Sequence, residues 1–278
     1  MKVRPRTIAI HILAWSIALI WTIPFISVLM SAIRPTSEIL DGWWLVDEFN
    51  PTLSNFVEVM TNPIFPLASG MANSFVVAIP ATFIPMFVAA LAGYGFARFS
   101  FPVRDYLFLT IVIIMAIPQM MVAVPLFGTM VSLNLVNTRF GLMLVHSAWG
   151  LPWIILFMRN YFGALPIEIE EAARVDGASD FKVFYKIVLP MALPALASVL
   201  VLQFMWVWND FFFAQILIGD PTNYVATQMI PRLAFGQYHR DWGLLTASSL
   251  MVMLVPVLIY VFLQKYYIRG MIGWTIKG

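Results

Sequence analysis

Residues 165–190 read LPIEIEEAARVDGASDFKVFYKIVLP, a charged stretch between strongly apolar sequences. Pro166 suits the first turn of a helix, because the N–H group that proline lacks has no partner there. The glutamates that follow lie where the helix dipole favours anions, and Gly177 suits the left-handed residue that ends many helices. Polar residues after this glycine can cap a second helix that runs to Pro190. The stretch therefore predicts two short helices that meet at a glycine bend and lie against a membrane.

The composition of the whole chain indicates a membrane protein. Of its 278 residues 61% are hydrophobic and 11% are charged, and the mean hydropathy is +0.87. Soluble domains carry about 25% charged residues, so this chain has too few charges to cover a water-facing surface. A helix needs about 20 apolar residues to cross the hydrocarbon core. Six windows meet this requirement, at about residues 8–31, 72–97, 106–130, 141–162, 191–218 and 244–264.

The distribution of basic residues predicts the orientation of these spans. If both termini are cytoplasmic, the 16 basic residues divide 12 to 4 in favour of the cytoplasmic side. Basic loops are retained on that side during insertion. We therefore expect one transmembrane domain over residues 1–278, with six spans in the cytoplasmic membrane, surrounded by lipid. The segment at about 163–190 is then a cytoplasmic loop, and the segment at about 219–243 lies outside.

Several classes of function are disfavoured by what the sequence lacks. There is no cysteine, and His11, His146 and His239 lie too far apart for a metal-ligand pair. No basic run suggests nucleic-acid binding. No phosphate-binding loop of the form GxxxxGK[ST] is present, nor a nucleophile elbow or a zinc-protease motif. We expect no bound metal, no ATP held by this chain and no enzymatic activity of its own.

The loop carries a spaced motif that resembles the signature of binding-protein-dependent ABC transporter permeases. That signature is E-A-A, three residues, G, nine residues and I-x-L-P. Here Glu171-Ala172-Ala173 is followed by Gly177 and then by Ile187-Val188-Leu189-Pro190, with every spacing matched. The chain length, the six spans and the Trp208-Asn209-Asp210 stretch look like the sugar-type permeases. The closest likeness is to the smaller permease subunit of maltose-type importers.

This resemblance implies a fold and a set of partners. The fold would be that of a type I ABC importer permease, and the 163–190 segment would be the coupling helix that docks on a cytoplasmic ATPase. ATP and Mg would belong to two such ATPase subunits, and a second, similar permease would complete a heterodimer. An extracytoplasmic solute-binding protein would meet the outer loop, with candidate contacts at Asn223, Tyr224, Gln237 and Tyr238.

Polar and aromatic residues inside the spans are candidates for the solute pathway. Ionisable residues are costly within a membrane, which makes Asp210 in the fifth span and His146 in the fourth candidates. The polar neighbour Asn209 and the aromatic Trp149, one turn from His146, are added to them. For Asn209 and Asp210 a structural network without solute contact is an equal alternative, and for His146 and Trp149 ordinary packing is the commoner explanation of aromatic residues in a membrane helix. Span prolines such as Pro118 and Pro152 similarly allow either ordinary packing or bent helices that line a moving pathway.

The solute remains open at this point. The spans contain no lysine or arginine away from their ends, which favours a neutral sugar or polyol over glycerol phosphate or another charged metabolite. An ion-coupled secondary transporter would show several intramembrane acids or repeated broken helices, and an intramembrane enzyme would need a catalytic constellation. Neither pattern is present, so an importer permease is the favoured hypothesis.

Overall fold

A computed structural model describes residues 5–45, 49–234 and 241–272. Every regular element within these ranges is helical. The α-helices, numbered α1 to α14 in chain order, are Pro5–Ala32, Thr36–Gly42, Ser54–Thr61, Leu67–Arg98, Arg104–Ile114, Gln119–Ser132, Arg139–Ala164, Glu168–Val175, Asp180–Val183, Leu189–Met191, Leu193–Trp208, Phe212–Leu217, Ala226–Ala234 and Trp242–Ile272. A π-helical turn at Phe184–Val188 follows α9, and a 3₁₀ turn at Pro221–Asn223 follows α12.

By length and composition, the described residues offer four to six membrane spans. Four single helices qualify, at Arg6–Ala32, Leu67–Arg98, Arg139–Ala164 and Trp242–Lys265. Two bent helix pairs also qualify: α5 with α6, bent by 101°, and Asp180–Met191 with α11, bent by 71°. The expectation of an all-α protein with about six spans is confirmed when each bent pair is counted as one span; the two bent spans are then not continuous helices.

The third predicted window, residues 106–130, is not one continuous helix. α5 ends at Ile114, and Pro118 has extended backbone angles (φ −64°, ψ 135°) just before α6. Proline lacks the N–H needed to continue the preceding helix and disfavours a helical residue before it. A hydropathy window averages across such a break and therefore cannot locate it.

The fifth predicted window, residues 191–218, is broken at both ends of α11. Ala192 separates Met191 from α11, and Asn209, Asp210 and Phe211 separate α11 from α12. In the second break the Asp210 carboxylate accepts hydrogen bonds from the N–H groups of Phe213 (3.4 Å) and Ala214 (3.1 Å). The aspartate thus caps the new helix, as carboxylates do at helix N-termini.

The chain forms two compact units, residues 1–68 with 229–254 and residues 69–228 with 255–278. In the first unit the buried Asn55 side chain donates to the carbonyls of Ala32 (2.9 Å) and Arg34 (2.8 Å), and the Thr36 hydroxyl donates to Asp241 (2.6 Å). These bonds fasten the loop after α1. The assignment of residues 1–278 to a single domain stays a prediction.

The second unit has a core where α4 and α7 meet the segment from α9 to α11. A Cβ atom added at Gly93 of α4 would lie 2.9 Å from the Arg159 nitrogen of α7, so the two backbones approach closely. Small residues permit such crossings of membrane helices. Buried core residues include Ala89, Ala90, Tyr94, Ile154, Met158, Phe162, Val183, Phe184, Val188 and Val199. This core supports the 163–190 segment.

Candidate functional site

The 163–190 segment folds as two short helices around a glycine bend, which confirms the local prediction. α8 ends at Val175, and Gly177 has φ +83°, in the left-handed region that favours glycine. Its N–H donates to the Arg174 carbonyl at 3.0 Å. The Ser179 hydroxyl accepts from the Lys182 N–H at 3.4 Å and so caps α9. The role of this bend in coupling stays a prediction.

The two faces of α8 differ sharply. Glu171 and Ala172 are exposed, and Val175 on the same face is 88% exposed. Ala173 is half-buried and packs against the core of the second unit. The two alanines of the motif therefore have different surroundings: Ala172 is available to a partner, whereas Ala173 supports the helix from behind.

Aromatic residues extend the exposed surface onto the next turn. Phe181 is 72% exposed and Tyr185 is 55% exposed, and their rings stack with centroids 6.5 Å apart. Many exposed apolar side chains of this chain lie on its long apolar helices, but these two rings share a short segment with Lys182 and Lys186, which makes them a candidate interaction site. Neither residue was singled out from the sequence, although their i, i+4 spacing places both on one helix face. We call Glu171, Ala172, Val175, Phe181 and Tyr185 the docking face.

The last part of the motif lies partly inside the protein. Ile187 and Leu189 are half-buried, and Leu189 packs against the core, whereas Pro190 is exposed. The π-helical turn ends here, with the Leu189 N–H donating to the Phe184 carbonyl. These residues are placed to connect the docking face to α11. Direct contact of Ile187 and Leu189 with an ATPase stays a prediction.

A buried charge cluster lies beneath α8. Glu170 is 2% exposed, and its carboxylate accepts from the Arg98 Nε (2.7 Å) and the Tyr94 hydroxyl (2.8 Å). The Arg174 guanidinium lies 3.5 Å from the same carboxylate. The sequence analysis does not predict that Glu170 is the buried partner of Arg98 and Tyr94. The available signal was that Glu170, unlike Glu168 and Glu171, falls on the face of α8 that also carries Ala173.

A second ion pair spans the glycine bend. The Arg174 Nε donates to Asp180 Oδ1 at 2.8 Å, so a residue of α8 is tied to the first residue of α9. The hydrogen bond with Asp180 raises the pKa of the Arg174 guanidinium above its ordinary value. This arginine keeps its charge at any physiological pH, and the pair holds the bend closed.

Three of the four predicted pathway residues come together at the break after α11. His146 Nε2 lies 3.5 Å from Asp210 Oδ2, with side chains 3% and 7% exposed. The rings of His146 and Trp149 lie 5.6 Å and 5.5 Å from the ring of Phe213. Asn209 is outside this group, since it is exposed and its amide donates to the Met205 carbonyl at 2.8 Å.

An open cleft of about 900 Å³ begins at the same break. Its walls are aromatic and aliphatic side chains with a few amides, and its lining includes Gln119, Trp206, Asn209, Asp210, Phe211 and Gln215. The side-chain amide oxygen of Gln119 (Oε1) is buried and has no hydrogen-bond partner among the described residues. The cleft is chemically suited to a ligand that offers hydroxyl groups and apolar faces.

The outer-loop candidates are engaged within the chain. Asn223 donates to the Asn137 carbonyl at 2.8 Å, and Tyr224, 8% exposed, donates to the Gly219 carbonyl at 3.0 Å. Asn73 of α4 donates to the carbonyls of Thr222 (3.0 Å) and Tyr224 (2.9 Å). These bonds fix residues 219–225 in place. Contact of Asn223 and Tyr224 with a partner stays a prediction.

Two of the predicted outer-loop contacts, Gln237 and Tyr238, lie outside the described residues. In the part that is described, the Thr222 N–H and hydroxyl donate to Asp220 and lower the pKa of its carboxyl. Asp220 therefore stays ionised at neutral pH and presents a negative charge at the surface of this loop.

Comparisons with known proteins agree with this geometry. The family described as binding-protein-dependent transport system inner membrane component matches residues 86–273. A probable ABC transporter permease protein of Pyrococcus horikoshii is 56% identical over 277 residues, which cover 100% of both chains. An alpha-glucoside transport system permease protein of Rhizobium meliloti is 38% identical over 234 residues, covering 82% of this chain and 60% of that protein.

A solved structure gives the same fold. A chain from a bacterial ABC transporter involved in the import of the acidic polysaccharide alginate superposes with a TM-score of 0.79. The match covers 96% of this chain and 100% of that chain, at 22% sequence identity. The expected type I importer permease fold is therefore confirmed, and the 163–190 segment lies within the part matched by the family.

Proposed function

The chain belongs to the family of binding-protein-dependent transport system inner membrane components, and we propose that it is the permease subunit of an importer for a neutral sugar or related polyol. Membership makes it a membrane transport subunit, which agrees with the expected absence of catalysis. The observation on which the mechanism rests is the docking face, an exposed surface on a loop that is fastened to α4 from behind.

The cleft beside Asp210 supports a neutral, hydroxyl-rich solute. Sugars bind through aromatic faces and a few directional polar groups, and Trp206, Gln119 and Asn209 supply both kinds of contact. No lysine or arginine is among the residues that line this cleft, and the Asp210 carboxylate is next to His146. A relative's name, alpha-glucoside transport system permease, points to the same solute class.

The assembly we propose contains four membrane-associated chains. This subunit pairs with a second, similar permease, and each permease docks on one ATPase subunit that binds ATP and Mg. Glu171 presents an anion to a basic partner, while Val175 and the Phe181–Tyr185 pair provide apolar contact area. On the opposite side, a solute-binding protein meets residues 219–243, with Asn223 and Tyr224 in the segment that Asn73 holds in place.

Both termini of the chain lie in the cytoplasm under this proposal. The excess of basic residues in the loops that include 163–190 supports that orientation. The docking face is then on the side where ATP is available, and the cleft by Asp210 opens toward the outer part of the membrane.

The test is reconstitution of the subunit with its partner permease, its ATPase and its binding protein in proteoliposomes. We expect ATP hydrolysis to rise when the binding protein carries a sugar or polyol, together with uptake of that solute. Stimulation by glycerol phosphate or amino acids alone would reject the neutral solute and leave the importer intact. A complex that purifies without any ATPase chain would reject the importer assignment.

A further inference from the structure

Arg98 connects three elements of the second unit through one guanidinium group. It is the last residue of α4, and its Nε donates to Glu170 Oε1 of α8 at 2.7 Å. One of its terminal nitrogens donates to the Leu165 carbonyl, just past the end of α7, at 2.9 Å. A planar guanidinium can hold two acceptors in fixed directions, which a lysine cannot do.

The contact is shielded from water on both sides. The Arg98 side chain is 6% exposed and the Glu170 side chain is 2% exposed. Tyr94, one turn before Arg98 on α4, donates to the second oxygen of Glu170 at 2.8 Å. Short, charge-assisted bonds in a dry environment are stiff and directional. When α8 is displaced, the end of α4 therefore moves with it, because the contact between them changes little.

We propose that Arg98 and Glu170 form the joint through which force applied at the docking face moves α4. This inference rests on the proposed function, since it presumes an ATPase at that face. α8 has eight residues and ends next to the bend at Gly177, where the chain changes direction, so its own axis does not continue into a membrane helix. The exposed Glu171 receives the partner, and the neighbouring buried Glu170 passes the motion to the membrane helix. Arg98 and Glu170 are thus positioning residues that do not touch ATP or solute.

The experiment compares Arg98→Gln with Glu170→Gln, the double variant and a control. Arg104→Gln is the control, because Arg104 is only half-buried (34% exposed), its partner Asp105 is 80% exposed, and its other bond is to the nearby Phe99 carbonyl. Three quantities are measured on the reconstituted complex: ATPase co-purification, the thermal midpoint of the complex, and ATP hydrolysed per solute imported. The last quantity reports coupling, and comparing it with the thermal midpoint in the double variant separates force transmission from a purely structural role.

We expect each single variant to keep ATPase docking and to raise ATP use per solute by about fivefold or more, the lower end of typical coupling between sites. The single variants should also be less stable, since each removes one charge of a buried ion pair and leaves the other charge less well compensated. The double variant removes both charges, so its midpoint should recover toward wild type while its coupling stays poor. Arg98→Lys keeps the charge but loses one of the two bonds, and its ratio should be intermediate.

Two results would contradict the proposal that the Arg98–Glu170 pair transmits force to α4. If the ATP-to-solute ratio of the single variants equals that of Arg104→Gln, the pair does not transmit force. If coupling returns together with stability in the double variant, the pair is only structural. Failure of the proposed function is a different result, because the wild-type protein itself would then show no ATPase docking and no stimulated hydrolysis.

Discussion

Two glycines of α4 that are two residues apart should respond in opposite ways to the same substitution. A Cβ atom at Gly93 would lie 2.9 Å from both the Arg159 nitrogen and the Met158 Cβ of α7, whereas one at Gly95 meets nothing within 4 Å. The contact at Gly93 involves backbone, so it is relieved only if the helices separate. Overpacking of this kind costs about 1–3 kcal/mol.

The helical preference of alanine opposes that cost. Replacing glycine by alanine inside a helix stabilises it by roughly 0.5–1 kcal/mol. Gly95→Ala should show this gain alone. For Gly93→Ala the gain is subtracted from the overpacking cost, which leaves a net destabilisation of roughly 0–2.5 kcal/mol, so the two variants should differ by about 1–3 kcal/mol. Gly95→Ala is the matched control, because it changes the same atoms in the same helix.

The assay is thermal unfolding of the purified chain in lipid nanodiscs. One kcal/mol corresponds to a shift of about 2–4 °C for a domain of 150–250 residues. We therefore expect Gly93→Ala to unfold several degrees below Gly95→Ala. Equal midpoints for the two variants would refute the close crossing of α4 and α7, and with it the packing that supports the 163–190 segment.

The remaining predictions concern the docking face and the orientation. Gly177→Val should cost about 1–2 kcal/mol in the left-handed region and reduce uptake at normal protein levels, whereas Gly177→Asn, which tolerates that region, should transport nearly as wild type. Ala172→Leu should weaken ATPase co-purification with an unchanged unfolding midpoint, and Ala173→Leu should lower the midpoint by overpacking the core; the reverse pattern would contradict the two faces of α8. In this cysteine-free chain, a cysteine replacing Asp47 should react with an impermeant thiol reagent from outside, and one replacing Lys182 should not. The opposite labelling would invert the topology.

The short helices around Gly177 could be predicted because their signals are local. A proline at a helix start and a glycine at a helix end act through backbone constraints that need no tertiary partner. The different surroundings of Ala172 and Ala173 are harder to predict, because two adjacent identical residues do not reveal which one faces the core. Their side chains point about 100° apart around the helix axis, and Ala173 is the one that packs against the core of the second unit.

The breaks in the two bent spans could not be located by hydropathy. Residues 106–130 and 191–218 are predominantly apolar, and a hydropathy window reports the average composition of a segment, not whether its helix is continuous. At Asp210 the break is stabilised by hydrogen bonds to Phe213 and Ala214 and by His146 from another helix. That last contact depends on how the helices pack, which a single sequence does not disclose.

In the second unit, the few buried polar residues help to select which helices pack against each other. In lipid, apolar faces do not distinguish one neighbour from another, so packing of small residues and interhelical hydrogen bonds select the partners. Gln203 of α11 is 2% exposed; it accepts from Trp153 Nε1 of α7 (3.0 Å) and donates to the Ala81 carbonyl of α4 (3.1 Å). A Cβ atom at Gly150 would lie 2.4 Å from its amide nitrogen.

One glutamine therefore connects three helices at a site where a glycine makes room for it. At the far end of α4 the Arg98–Glu170 pair does the same for α8, and near its beginning Asn73 holds residues 222–224. α4 is thus hydrogen-bonded along its length to α8, to α11 and to residues 222–224. Pro80 and Pro85 interrupt the backbone hydrogen bonds of α4 between Asn73 and Arg98. The polar contacts therefore fix α4 at three points, at Asn73, Ala81 and Arg98, with this weaker stretch between the outer two.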